Sequence, residues 1–293
     1  MHRTPRSDPQ RGAAAARPRQ AGFTLVEAVV VIAITGVLAA VVSSFIVAPV
    51  QAYLGASARA ALGAQADSAL RHMARELRTA LPNSVRVTAS GLALEFIPST
   101  GAARYATEGS GALQFGVLDT SFDVIGPPLL LAAGQQLVFY NLGEGVEGSD
   151  AYALSGTGPE QATSNRRAFS NATGAASTVT LVSAAALPVT AQAPPYRVVV
   201  VSAPVSYRCD LAAGTLTRHA GYGFQPTQPD PPGSGSSALL ATGVTACRFG
   251  ADGSLVAARA ALVTLALTLT TTGAPGGNEN LTLQQAVYVE NQP

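Results

Sequence analysis

An unbroken apolar run near the N-terminus constrains this chain more than any other feature of its sequence. Residues 23–50 read FTLVEAVVVIAITGVLAAVVSSFIVAPV and contain one charged side chain, that of Glu27. As a helix the run is roughly 42 Å long at 1.5 Å per residue. A bilayer core needs about 20 apolar residues. The run therefore predicts a helix that spans a membrane and extends beyond it.

The charge of the segment before this run predicts the orientation of the helix. That segment holds five arginines and one acid, namely Arg3, Arg6, Arg11, Arg17, Arg19 and Asp8. It carries +4, and because the whole chain carries +1, the remainder carries −3. Arginines beside an apolar helix hold that side in the cytoplasm, so we expect the remainder to be exported. The remainder has no basic patch that would predict nucleic-acid binding.

Glu27 interrupts the apolar run at an informative position. A carboxylate near the edge of an apolar helix is unfavourable unless it is paired or neutralised. Cleavage between Gly22 and Phe23 would create an α-ammonium one helical turn away, able to pair with Glu27 of the same chain or of a neighbour. In a bundle of apolar helices this pairing would fix the axial register. The simpler alternative is a glutamate that reaches the membrane surface.

Residues 22–27, GFTLVE, with a basic leader before them and an apolar helix after them, resemble the prepilin signature of type IV pilins and pseudopilins. The resemblance implies that a prepilin peptidase cuts after Gly22 and methylates Phe23, and that Glu27 is the assembly carboxylate. The implied partners are that peptidase, other major and minor pilins, the inner-membrane pilus assembly platform and the inner membrane. The rival interpretation is an ordinary signal peptide with a cleavage site at Ala56-Ser57-Ala58. The apolar run of this chain is too long for such a peptide.

The next segment predicts that the helix continues in amphipathic form. Apolar residues recur there mostly at three- and four-residue intervals, as in one face of a helix; they are Tyr53, Leu62, Ala66, Leu70, Met73, Leu77 and Ala80. The helix is expected from about residue 24 to 80, ending before Pro82. Candidate bends or local melts are Gly36, Pro49, Gly55 and Gly63. His72 is interpreted as a surface or packing residue.

From residue 85 the pattern changes to short strands separated by Gly, Pro, Ser and Asn turns. The expected strands are 85–88, 92–97, 113–117, 136–140, 178–183, 196–202, 205–209, 215–219, 244–249, 262–270 and 281–289, with long loops at 141–176 and 224–237. The fold class is therefore α+β and pilin-like: a long N-terminal helix, apolar then amphipathic, packed on a C-terminal antiparallel β-rich domain. The domain boundaries are 1–22 for a cleaved leader, 23–50, 51–81 and 82–293.

The C-terminal third narrows the resemblance. The stretches 77–87, 205–219, 245–249, 262–265 and 278–283 resemble the MshO group, the minor pilins of the mannose-sensitive haemagglutinin (MSHA) pilus. This resemblance implies an inner-membrane protein with one span and a periplasmic domain, which later becomes part of a cell-surface pilus involved in adhesion. A type II secretion pseudopilin and a membrane-tethered binding module with a pilin anchor are the alternatives.

Other candidate sites are few. Cys209 and Cys247 are the only cysteines, and an even count in an exported chain suggests one disulfide, with two free buried thiols as the alternative. The pair would join two adjacent strand segments. Glu144, Glu147 and Asp150 offer oxygen ligands for Ca²⁺, but a solvated loop is the simpler interpretation. No catalytic motif occurs, so we predict a non-enzymatic protein without a cofactor or metal.

Overall fold

The computed structural model describes residues 22–156, 158–251, 260–271 and 278–290. The chain divides into two compact units, residues 1–53 and 54–293. One helix, α1 (Leu25–Leu77), contributes to both units. It agrees closely with the expected helix. The helix is continuous at Gly36, Pro49, Gly55 and Gly63, the candidate bends or local melts, so no local melt occurs there.

The N-terminal unit contains the apolar part of α1. Helix α1 is long and apolar enough to cross a membrane, by length and composition, and no part of its most apolar window is buried by the described residues. Tyr53, at the end of this unit, is 72% exposed. The expected apolar stripe was therefore wrong to include Tyr53, because the buried face of the helix begins only after it.

The second unit begins with the amphipathic part of α1. Its buried residues are Gly55, Leu62, Ala66, Ala69, Leu70, Met73, Ala74 and Leu77. They recur at intervals of one, three, four and seven residues, which places them on one face of the helix. This face forms the centre of the largest hydrophobic core of the protein. The amphipathic interpretation of this segment is thus confirmed.

The rest of the second unit is rich in antiparallel β-structure. In the described residues the strands are β1 (Arg86–Val87), β2 (Ala93–Phe96), β3 (Ser99–Tyr105), β4 (Ser121–Ile125), β5 (Leu129–Leu131), β6 (Gln136–Phe139), β7 (Arg166–Phe169), β8 (Gly174–Ala176), β9 (Thr178–Val182), β10 (Arg197–Val201), β11 (Val205–Asp210), β12 (Thr215–Ala220), β13 (Ser236–Thr242), β14 (Val244–Ala251), β15 (Ala260–Thr271) and β16 (Glu279–Glu290). Two short 3₁₀-helices, Pro159–Thr163 and Val189–Ala191, lie between strands.

Two sheets share the core formed around α1. One has the strand order β1-β2-β11-β12-β13, and the other has the order β14-β15-β16. Leu94 and Tyr207 from the first sheet and Leu267 and Val287 from the second belong to the same buried cluster as the helix. A long helix followed by a C-terminal antiparallel β-rich domain confirms the expected fold class.

A closed barrel is inserted into the first sheet. Strands β2 and β11 pair directly, with Phe96 opposite Val205, although about a hundred residues separate them in the chain. Those intervening residues contain the barrel β10-β3-β4-β9-β7-β6 and the two-stranded sheet β5-β8. The barrel has its own core, in which Tyr105, Phe122 and Phe139 make edge-to-face ring contacts about 6 Å apart. This second core was not predicted.

Several strand expectations need correction. Residues 113–117 form no strand; they lie in the connection between β3 and β4, with Leu113 buried. Six strands were missed, namely β3, β4, β5, β7, β8 and β13. The expected loop 141–176 contains a 3₁₀-helix and two of these strands. Of the missed strands, β3, β4 and β7 belong to the barrel, β5 pairs with β8, and β13 pairs with β12. Tertiary pairing therefore forms strands where the local pattern is weak or short.

Candidate functional site at the N-terminal helix

Gly22 and Phe23 lie immediately before α1 and are exposed. Neither is helical, and Phe23 is 79% exposed. A Cβ atom placed on Gly22 would meet no other atom within 4 Å. A peptide bond between two such residues is open to a protease. The assignments of Gly22 as the cleavage residue and Phe23 as the methylated N-terminus remain predictions.

Thr24 caps the helix, a role that the sequence analysis missed. The backbone N–H of Glu27 donates to Thr24 Oγ1 at 3.2 Å, and the N–H of Ala28 donates to the Thr24 carbonyl at 3.1 Å. A threonine followed three residues later by a glutamate is the sequence pattern of a capping box, and this half of the box is present. That pattern was readable within GFTLVE before the structure was known.

Glu27 occupies the first turn of α1 and is exposed. A carboxylate there is favoured by the partial positive charge at the N-terminus of a helix. Within the described residues no cation lies within ion-pair distance of Glu27. Its predicted role in fixing the register of assembled helices therefore needs a charge from elsewhere, such as the α-ammonium that cleavage before Phe23 would release.

The surface of the apolar helix is left uncovered by the described part of the chain. Its exposed large side chains are Leu25, Val26, Val29, Val30, Val31, Ile32, Ile34, Val37, Leu38, Val41, Val42, Phe45, Ile46, Val47 and Val50. Apolar side chains exposed on all faces of a helix are stable only in lipid or against other apolar helices. The arrangement suits insertion into a membrane and packing in a helical bundle.

The cysteines form the expected disulfide. Cys209 and Cys247 are bonded, with Cα atoms 6.3 Å apart. The bond joins β11 of the first sheet to β14 of the second, so it connects two sheets and not neighbours within one sheet. A bridge closing a loop of this length is worth about 3–4 kcal/mol in the chain-entropy account. The alternative of two free thiols does not hold.

Two buried charges form an ion pair between β1 and β2. Arg86 Nε donates to Glu95 Oε2 at 2.6 Å, and Tyr222 Oη donates to Glu95 Oε1 at 2.6 Å. Burial raises the pKa of Glu95 despite the attraction of Arg86. Arg86 also lies 3.7 Å from the ring centroid of Tyr152. The pair is hydrogen-bonded on both sides within the described residues, so the cluster supports the fold.

Two carboxylates of the acidic loop considered for Ca²⁺ binding make hydrogen bonds within the protein. Glu144 Oε1 accepts a hydrogen bond from Arg86 Nη1 at 2.8 Å. The Asp150 carboxylate accepts from the backbone N–H groups of Gly145 and Tyr152 at 2.9 and 2.8 Å. In the part of the chain that the structure describes, no group of three or more His, Cys, Asp or Glu side chains is arranged to hold a metal.

Comparison with known proteins identifies the N-terminal segment. Residues 17–43 match the family described as the prokaryotic N-terminal methylation motif. No curated protein and no solved structure matches the chain significantly. The motif supports a type IV pilin or pseudopilin that is processed by a prepilin peptidase and assembles with other pilins, and it points to a structural, non-enzymatic protein. The apolar helix and this motif together fit a membrane-anchored pilin.

Proposed function

We propose that this chain is a minor type IV pilin of the MshO kind, a subunit or initiator of an MSHA-type pilus. The observation that carries the proposal is a single one: an apolar helix that is uncovered among the described residues begins within a methylation motif at residues 17–43. A filament of bundled helices supplies that covering after the membrane has supplied it first. The helix continues into a β-rich body, which the filament would display on its surface.

The proposed mechanism is assembly. The chain inserts in the inner membrane with its leader, residues 1–22, in the cytoplasm and its body in the periplasm. Prepilin peptidase removes the leader and methylates Phe23. The assembly platform then extracts the subunit, and the apolar helices bundle as the filament core. Glu27 neutralises an α-ammonium in that core, because an unpaired carboxylate is unfavourable in apolar surroundings.

The finer assignment to the MshO group rests on the resemblance of the C-terminal third. In the structure, residues 205–210 and 215–220 form the hairpin β11–β12, which carries Cys209 of the disulfide. A type II secretion pseudopilin would share the motif, the helix and the processing step. The two proposals differ in the assembly system, so a neighbouring pilus operon supports the first and a secretion operon the second.

The proposal is tested by determining the mature N-terminus. The full chain is produced with and without a prepilin peptidase, and its intact mass and N-terminal sequence are measured. We expect loss of residues 1–22 and an N-terminal Phe23 that carries one added methyl group. Gly22→Arg should block maturation, whereas Gly12→Arg, which adds the same side chain within the leader, should not. A mature chain that begins elsewhere would contradict the proposal.

A further inference from the structure

Strand β16 (Glu279–Glu290) leaves one long edge of the second sheet unpaired. The strand order is β14-β15-β16, so β15 covers one edge of β16, and among the described residues no strand covers the other. The pairing with β15 extends from Glu279 opposite Thr271 to Glu290 opposite Ala260, over twelve residues without a shift in register. The open edge of β16 is therefore also twelve residues long and has no bulge.

The register identifies which backbone groups face the open edge. The N–H of Thr270 donates to Gly243, next to β14, so even-numbered residues of β15 direct their backbone groups toward β14. Odd-numbered residues of β15 therefore bond to β16, and their partners there are also odd-numbered. The residues of β16 whose N–H and C=O groups point outward are Asn280, Thr282, Gln284, Ala286, Tyr288 and Glu290.

The residues that carry these outward groups are all exposed. Among the described residues none of these backbone groups hydrogen-bonds to another protein group. Natural sheets usually block such edges with short strands, prolines, bulges or central charges, since an open edge pairs with other chains. Strand β16 has none of these devices, and its only charged residues are Glu279 and Glu290 at its two ends. An edge of this kind suits a partner strand.

A basic groove lies beside the middle of this edge. It has a volume of about 530 Å³ and is lined by α1 and by Leu283, Gln284 and Gln285 of β16. The charged residues of α1 that line it are Asp67, Arg71, Arg75 and Arg78. Asp67 pairs with Arg71 at 2.8 Å. Within the described residues, Arg75 and Arg78 have no ion pair and no side-chain hydrogen bond, so the groove keeps two unneutralised positive charges.

We propose that the open edge of β16 receives an extended, acid-bearing segment of another filament subunit as a fourth strand of this sheet. Backbone hydrogen bonds to the outward groups of β16 would hold the segment, and its carboxylates would pair with Arg75 and Arg78. A second copy of β16 is a poor occupant, because it would bring its own arginines into the same groove and the like charges would repel. The inference rests on the proposed function, which supplies the neighbouring subunit.

The first test measures peptide binding to the full-length mature protein in detergent. The probe is a fluorescent peptide of alternating threonine and glutamate, and its control carries glutamine in place of glutamate. We expect the acidic peptide to bind at least about tenfold more tightly, and more weakly as salt is raised. Equal affinity for the two peptides, or no binding of either, would overturn the proposal.

Matched variants separate the backbone contribution from side-chain effects. Gln284→Pro removes an outward N–H that β15 does not use, so the sheet should still form, and circular dichroism checks this. Gln284→Ala removes the side chain and keeps the N–H. We expect peptide binding to be lost in the proline variant, kept in the alanine variant, and reduced by Arg75→Glu with Arg78→Glu. Binding that survives Gln284→Pro in a folded protein would overturn strand addition.

A cellular test identifies the segment that occupies the edge. Its outcomes also distinguish failure of this inference from failure of the proposed function. A photo-crosslinking amino acid replaces Gln284 in the full chain, in cells that assemble the filament. A crosslink to another subunit supports the proposal. A crosslink to a second copy, or none when processing and filament incorporation are normal, overturns it. Absence of processing would instead contradict the proposed function. The peptide measurements would still test whether the open edge of β16 binds an acidic strand.

Discussion

Glu27 and Glu95 show how one side-chain type serves two purposes at the residue scale. Glu95 is fully buried and is satisfied inside its own chain by Arg86 and Tyr222. Glu27 is exposed on an apolar helix and has no cation near it among the described residues. The first carboxylate is therefore a part of the fold. The second has no ion-pair partner among the described residues, and its role in assembly stays a prediction.

Replacing Glu27 should separate processing from assembly. We expect Glu27→Val to be cleaved by prepilin peptidase normally but to be largely absent from sheared filaments, because no carboxylate then neutralises the α-ammonium of Phe23. Immunoblots of cell and filament fractions measure both steps. Thr35→Val, which makes the same helix more apolar without removing a charge, is the control. Normal incorporation of the Glu27 variant would refute the assembly role.

Replacing Arg86 should destabilise the fold strongly. Arg86→Met leaves Glu95 buried without a counter-charge, a change that typically costs about 3–5 kcal/mol. Denaturant unfolding of the full chain in detergent measures the effect. Arg208 forms part-exposed pairs with Asp210 and Asp230, so Arg208→Met should cost at most about 1 kcal/mol. Similar losses of unfolding free energy in the two variants would show that burial of the Arg86–Glu95 pair does not determine the effect.

At the scale of elements, one carboxylate ties the helix to the first sheet. Glu76 of α1 accepts hydrogen bonds from Tyr207 Oη of β11 at 2.5 Å and from Arg218 Nε of β12 at 2.9 Å. Burial acts to raise the pKa of Glu76, but the hydrogen bonds from Arg218 and Tyr207 outweigh it and lower the pKa. The ionised form is thus favoured by folding.

The pH dependence of stability follows from this lowered pKa. A carboxyl with a folded pKa below its usual 4.5 contributes stability that is present above pH 4.5 and lost as pH falls through the folded pKa. We expect Glu76→Gln to be less stable than wild type at pH 7, with the gap narrowing as pH falls below 4.5. Unfolding curves at several pH values measure the gap.

A control on the same helix makes this prediction specific. Asp67 pairs with Arg71 on the exposed face of α1. Exposed helical pairs of this spacing contribute about 0.3–0.5 kcal/mol, so Asp67→Asn should change stability little at pH 7. A gap for Glu76→Gln that stays constant with pH would show that lost packing, and not lost charge, explains its effect.

At the scale of the whole molecule, the charge of the N-terminal segment and the disulfide of the body favour the same orientation across the membrane. The basic side chains before the apolar helix favour a cytoplasmic N-terminus. The disulfide between Cys209 and Cys247 favours an oxidising compartment for the body. Both observations support the proposed orientation, in which the body lies in the periplasm before assembly.

Reporter fusions test this orientation. Alkaline phosphatase fused to the C-terminus of the full chain should be active, because it folds only after export, whereas β-galactosidase at the same position should be inactive. Replacing Arg17 and Arg19 by alanine should weaken the bias, since orientation follows the flanking basic residues. Strong β-galactosidase activity from the unmodified chain would contradict the orientation.

The sequence by itself determined the features that depend on local chemistry. The apolar run, the GFTLVE motif and the helical spacing from Leu62 to Leu77 are each readable within a few turns, because helix periodicity and membrane length are local properties. Alternation likewise located β15 and β16. The even cysteine count suggested the disulfide, although the fact that it joins two sheets was not readable.

Only the tertiary structure decided which distant segments meet. The barrel between β2 and β11 and the meeting of Glu76 with Tyr207 and Arg218 both depend on contacts between residues far apart in the chain. Strand β3 reads STGAARY and β7 reads RRAF, patterns too weak to predict a strand. They become strands because neighbouring strands satisfy their backbone groups, and that satisfaction is a property of the closed barrel and not of any short segment.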